Sequence, residues 1–205
     1  MKETQRSLLA ILIVILLFAI SSSIIQQNIE GIENFIYKGY IIGALVYIFI
    51  VAVAVVIAPV SVIPLIPLMS MMYGWQISGL LSILGWTLGA GIAFKLSREY
   101  GIPLVKKFIS LKKIENIEKK IPKRNIFWSI VFLRMALPVD ILSYALGLFS
   151  KVKFKTYLIA TIIGITPFAF ILAYIGILPI YYQIISLAIG SIIIILGVLI
   201  KKNKK

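Results

Sequence analysis

The chain has 205 residues, 61% hydrophobic and only 14% charged, against roughly 25% charged residues in soluble domains, which excludes an ordinary soluble fold. Its 21 basic and 7 acidic residues leave a net charge of +14, but the lysines and arginines stand in short blocks between apolar runs, a pattern suited to anionic headgroups and not to nucleic acid. There is no Cys and no His, so disulfides, thiolate or imidazole metal sites and Cys nucleophiles are excluded, and neither a metal nor a cofactor is expected.

Ser7 to Ile29 carries no charge and follows Lys2 and Arg6. Ser21-Ser22-Ser23 resembles the small-residue end of a secretory signal, but the apolar run exceeds the usual core of about 7–15 residues and reads as a retained anchor. Residues 1–38 are thus an anchor with an external loop holding Glu30, Glu33 and Lys38. Gly39 to Phe94 is a second uncharged stretch. Its 56 residues are too many for two spanning helices and slightly short for three, since each needs about 20. Pro59, Pro64 and Pro67 decide the division, because each removes a backbone donor and clashes with the preceding turn. Broken backbone survives at membrane depth only inside protein or along a wet cavity. Tyr40 to Tyr73 is therefore predicted to be a re-entrant pair of helices, with the prolines at a gate or cavity wall, and Ile77 to Phe94 a full span. Tyr73 and Trp75 would mark the interface.

Lys95 to Arg124 carries ten basic residues. Within it Leu104, Phe108, Leu111, Ile114, Ile117 and Ile121 recur at three- and four-residue steps, predicting an amphipathic helix over 100–121 in the headgroup plane. Ile126 to Ser150 is interrupted by Pro138 and bounded by basic residues at both ends, so it is predicted to be re-entrant from the cytoplasmic side. Phe154 to Ile177 and Ile180 to Ile200 complete the set, the second in a C-terminal unit of residues 178–205 with a lysine-rich tail. Loop charge puts both termini in the cytoplasm. The expected fold is an all-α polytopic membrane protein: four transmembrane helices plus two opposed re-entrant helical hairpins in an inverted repeat, a transport architecture with its site near the midplane. Six ordinary helices, some kinked, are the alternative.

Arg134 and Asp140 are the charged residues of the 126–150 run. Each costs at least about 2.5–3.5 kcal/mol at the centre of a spanning helix. An arginine fork suits bidentate phosphate recognition; a structural Arg134–Asp140 pair at the Pro138 bend accounts for the same residues, as does snorkelling of Arg134. Gly85, Gly89 and Gly91, with Ser78 and Gly79 before them, predict close helix approach or a narrow substrate path. An intramembrane aspartyl enzyme would need two aspartates, and these runs supply one.

Gly85 to Gly101, with Gly89, Gly91, Phe94 and Arg98, and the run Phe132, Arg134, Pro138, Asp140, Ser143, Tyr144, Gly147, then Phe154, Tyr157, Gly164, Pro167 and Gly176, resemble the two signature blocks of the DedA superfamily, also called SNARE-associated or VTT-domain proteins. The resemblance covers roughly residues 39–177. It implies inverted re-entrant helices and movement of lipids across a plasma membrane: a translocase or scramblase for phosphate-bearing lipids such as a polyisoprenyl phosphate or phospholipids, not an enzyme. By resemblance, Arg134 and Arg98 are the arginines of the second re-entrant segment and of the end of the third element; Pro138, Gly147 and Pro167 are expected, with Pro59, Pro64 and Pro67, to shape the gate or cavity. The chain departs in two ways: Tyr40 to Phe94 has no acidic residue, leaving Asp140 as the intramembrane carboxylate, and three residues rather than two separate Arg134 from Pro138. The expected partners are anionic membrane lipids, with a homo-oligomer left open. A proton- or cation-coupled transporter of a small solute and a non-transport membrane-organising protein are the rival readings.

Overall fold

The computed structural model describes residues 13, 16–20, 22–24, 27, 29–57, 61–105, 125–136 and 139–190. Their regular elements are all helical. Those between 13 and 27 belong to helix, and Phe18 and Ser22 among them are fully buried. Helix α1 runs Ile29–Ile57. The stretch expected as an external loop is helical instead, and the turn in direction falls at Gly39, whose φ of −142° leaves the helical region. No proline lies between 29 and 38 to stop the helix.

A 3₁₀ turn, Ile63–Leu65, has Pro64 in its first positions. It leads into α2, Ile66–Val105, which is broken twice, at Gly74 (φ 76°) and Gly101 (φ 62°). Both backbones lie where a side chain is strained, so glycine is required. The first break separates a short return limb, Ile66 to Tyr73, from the long helix beyond Trp75. The second ends that long helix just where the amphipathic segment was expected; its residues 106–121 lie outside the described residues.

Tyr73 donates from its hydroxyl to the Tyr40 carbonyl at 2.7 Å, and the two rings meet at 4.5 Å. The chain that leaves Tyr40 is thus back at the same level by Tyr73. Its two limbs are unequal: Gly39–Ile57 has 19 residues and is itself long and apolar enough to cross a membrane, whereas the return is made by the proline-rich turn and two helical turns.

Helices α3, Ile126–Ala136, and α4, Val139–Phe149, have 11 residues each. At 1.5 Å per residue each reaches about 16 Å, half the roughly 30 Å hydrocarbon core. Helix α5, Phe154–Ile177, has 24 residues and is long and apolar enough to cross in full, and α6, Ile180–Gly190, follows Pro179. The remainder of the helix expected to Ile200 lies outside the described residues.

Helices α2 and α5 run antiparallel through the centre. The Tyr157 hydroxyl reaches the Ala90 carbonyl at 2.9 Å, and Phe94 stacks on Tyr157 at 4.0 Å. Farther along, Gly79 faces Phe170. This pair carries two apolar clusters. One joins Phe94, Ile130, Leu142, Leu146 and Tyr157, the other Tyr47, Val51, Ile66, Trp86 and Leu172. Polarity is inverted relative to a soluble domain: Ser70, Ser78, Ser82, Ser143, Thr161 and Arg134 are buried, while Leu80, Leu84 and Leu88 stand 54%, 52% and 54% exposed on one face of α2. A ridge of that kind is stable against lipid.

Small residues set the spacing. A Cβ at Gly85 would meet Val51 at 2.7 Å, and one at Gly89 would meet the Ala52 carbonyl at 2.6 Å, both on α1; Gly91 instead faces Phe154 and Leu158 of α5. The glycines thus serve close helix approach, against two different neighbours. Gly89→Val is expected to destabilise the protein by about 1–3 kcal/mol through overpacking against backbone that cannot give way, read as a lowered melting midpoint in detergent. Leu88→Ala on the exposed ridge should leave the midpoint nearly unchanged; equal effects would refute the packing assigned to Gly89.

Candidate functional site around Arg134

Arg134 lies in the last turn of α3 with 4% of its surface exposed. Gly164 lets it enter, because a Cβ there would meet the Arg134 Cβ at 2.6 Å and the Val131 carbonyl at 2.8 Å. Helix α3 can therefore lie directly against α5. The guanidinium donates from Nε to Thr161 Oγ1 at 3.3 Å, and from one terminal nitrogen to Ser143 Oγ at 3.0 Å, Tyr157 Oη at 2.6 Å and Thr161 Oγ1 at 3.2 Å. The other terminal nitrogen donates to the Val139 carbonyl. The Tyr157 hydroxyl in turn donates a hydrogen bond to the Ala90 carbonyl at 2.9 Å. Four helices, α2 to α5, thereby meet on one side chain. Thr161 stands seven residues beyond Phe154, which places the guanidinium about 10 Å in from the basic end of the helix pair.

Asp140 occupies the first turn of α4 and is half-buried, where a negative charge complements the helix dipole. The hydrogen bonds of Arg134 described above go to hydroxyls and main chain, while the Asp140 carboxylate acts on the guanidinium electrostatically from the start of α4. Next to it, the Tyr144 hydroxyl donates to the Val56 carbonyl in the last turn of α1. One of the carbonyls that a helix end leaves without an internal partner is satisfied from α4, and the first and second halves of the chain meet there.

Arg98 stands at the end of the same core and does different work. It donates to the carbonyls of Val152 at 2.9 Å, Ser150 at 2.6 Å and Gly147 at 3.5 Å, while its guanidinium lies 4.2 Å from the Phe94 ring centroid. It closes the C-terminus of α4, the favourable end for a cation. Gly147 itself is pressed against Ser97 and the Phe94 carbonyl of α2. Pro67, in the first turn of the return limb, packs against Gly176, whose Cβ would stand 3.1 Å from the Pro67 Cα. Pro167 is within α5, where Thr166 bonds the Ile162 carbonyl at 2.7 Å. Pro64 is in the 3₁₀ turn; Pro59 and Pro138 lie outside the described residues. Arg134, Gly147 and Arg98 thus share the second-half core, and Pro64 and Pro67 belong to the first. Among the described residues no group of three or more His, Cys, Asp or Glu could hold a metal ion.

The VTT domain family model matches residues 58–178. The chain belongs to the VTT-domain, or DedA/SNARE-associated, family. No curated protein and no solved structure matches the chain. The VTT domain takes in every residue of the Arg134 cage and the Arg98 cap. The family is associated with membrane transport or lipid-related function and is generally regarded as non-enzymatic. Apolar helices and a VTT domain together make this a membrane-embedded protein.

The cage partners Ser143, Tyr157 and Thr161 escape a reading by charge alone. Tyr157 and Thr161 are a polar pair one helical turn apart in an otherwise apolar run, and that spacing was the available signal. Tyr157→Phe removes an acceptor of Arg134 and a donor to Ala90, and is expected to cost about 1–3 kcal/mol of stability. Arg98→Gln should accelerate amide exchange over residues 147–152 while leaving 161–167 slow. Unchanged exchange at 147–152 would rule out the cap.

Proposed function

We propose that the protein moves phosphate-bearing lipids between the leaflets of a plasma membrane, as a translocase or scramblase. The observation that carries the reading is the Arg134 guanidinium, about 10 Å from the basic end of the bundle, donating to hydroxyls and main chain with Asp140 as its nearby counter-charge. An anionic phosphate competes well with neutral acceptors, because charge-assisted bidentate bonds are roughly twice as strong as neutral ones. Exchange of the Ser143 and Tyr157 hydroxyls for phosphate oxygens gives a headgroup a resting point inside the bilayer. Asp140, one helical turn from Ser143, modulates that exchange.

The topology accompanying this reading has both termini in the cytoplasm, with the Lys95, Arg98, Lys151, Lys153 and Lys155 end facing anionic cytoplasmic lipid. Tyr40 to Tyr73 enters from outside and α3 with α4 from inside, as two opposed re-entrant hairpins of an inverted repeat. The Tyr144 to Val56 bond ties them where they meet. Pro64 and Pro67, turning the first hairpin beside Gly176, form its cavity wall.

The test is loss of leaflet asymmetry of fluorescent phosphatidylglycerol and of a labelled polyisoprenyl phosphate in proteoliposomes. Wild type should accelerate the movement of at least one of them, Arg134→Ala should slow it by tenfold or more, about 1.4 kcal/mol in the barrier, and Arg134→Lys should be intermediate because a point charge replaces a fork. Monodisperse Arg134→Ala that moves lipid as fast as wild type would sink the reading.

A further inference from the structure

A cavity of about 430 Å³ lies between the two limbs of the first hairpin, far from Arg134 in sequence and, among the described residues, without a charged one in its wall. Ile42, Val46 and Ile50 of α1 form one side; Leu65, Leu68 and Met72 form the other. Ile42, Val46 and Ile50 follow one another at four-residue steps and are 68%, 49% and 42% exposed, so the slot opens along its length toward whatever surrounds α1. That helix is long and apolar enough to lie in a membrane, and its surroundings there are lipid chains.

Its surroundings select the occupant. From Ile42 to Ile50 the slot runs roughly 12 Å along α1, and in a bilayer the groups free to enter an open apolar slot of that kind are extended hydrocarbon chains. The Met69 and Met72 side chains in the floor are flexible enough to follow a chain with bends. At one end Tyr73 lines the slot with its ring against Tyr40, and Trp75 beyond them packs edge-on to Phe170 and Tyr174. Aromatic rings of this kind gather at the headgroup level.

The geometry points to a binding slot for one acyl chain of a phospholipid whose headgroup sits at the Tyr40, Tyr73 and Trp75 level. Its part in translocation rests on the reading above: the chain is held in the uncharged first half while the phosphate is handled by Arg134 in the second.

The experiment uses proteoliposomes of phosphatidylcholine and phosphatidylglycerol containing a phosphatidylcholine with a mid-chain diazirine, irradiated and mapped by peptide mass spectrometry. Adducts should favour residues 42–50 and 65–72 over the exposed ridges at Leu80 to Leu88 and Ile159 to Ile163 by about tenfold, a preference of about 1.4 kcal/mol for the slot. Val46→Trp and Leu68→Trp, each filling the slot, should remove that preference. Adducts spread evenly over all exposed ridges in wild type would overturn the slot. So would a Val46→Cys variant of this cysteine-free chain that oxidises to a dimer, which would put a second copy there. Lipid movement is followed in the same vesicles: slot adducts without movement keep the slot and reject the translocase, and movement without slot adducts does the reverse.

Discussion

One buried guanidinium organises the second half of this molecule. Arg134 cannot sit at membrane depth unless its donors are engaged, because an unmatched charge there costs several kcal/mol. The acceptors come from separate elements: Val139 and Ser143 from α4, Tyr157 and Thr161 from α5, with Tyr157 passing the contact on to α2 at Ala90. Each acceptor fixes a distance between helices. The short helices α3 and α4, too short to span alone, are held at the level where that cage closes.

The glycines are consequences of the same constraint. In lipid no hydrophobic force draws helices together, so contact relies on packing and interhelical hydrogen bonds, and both require close backbones. Gly164 brings α3 against α5 so that Arg134 reaches Thr161, and Gly147 brings α4 against α2 so that its end comes within reach of Arg98. Gly85 and Gly89 do the equivalent for α1 and α2 in the uncharged half, where Tyr47 and Ser82 make the interhelical bond at 2.7 Å. Interior polar groups are thereby matched while the exposed ridges stay apolar.

Much of this was legible in the sequence because its signals are local. Prolines in an apolar run announced a turn between Ile57 and Ile66, and the Tyr73 to Trp75 boundary fell within a residue of the break at Gly74. Isolated charges announced Arg134 and Asp140. The glycine breaks at 74 and 101 were harder, since a single glycine in a spanning run more often packs than bends; their signal was a preceding interfacial tyrosine at each. The helical course of residues 29–38 was masked by charges that look like a loop. The partners of Arg134 were legible only in part: the one-turn spacing of Tyr157 and Thr161 marks a polar face, but which cation meets it depends on how close the backbones come, and closeness is a property of the fold. Arg98 was expected at an edge, and its actual work, holding three carbonyls at the end of α4, depends on a chain reversal some fifty residues away.

The two halves now differ in kind. The second concentrates charge: a caged arginine, a half-buried aspartate at a helix start and an arginine cap at the basic edge. The first has serine and tyrosine hydroxyls but no charged side chain from Gly39 to Phe94, and carries an open apolar slot instead. An amphiphile has the same division, a charged head on an apolar tail. A solute that is charged throughout gains nothing from the first half, and a hydrocarbon gains nothing from the second. A molecule with both parts can be held by both at once, with the Tyr144 to Val56 bond between them. That match of two unlike surfaces to one bipartite ligand is the ground on which a lipid is proposed in preference to an ion or a small polar solute.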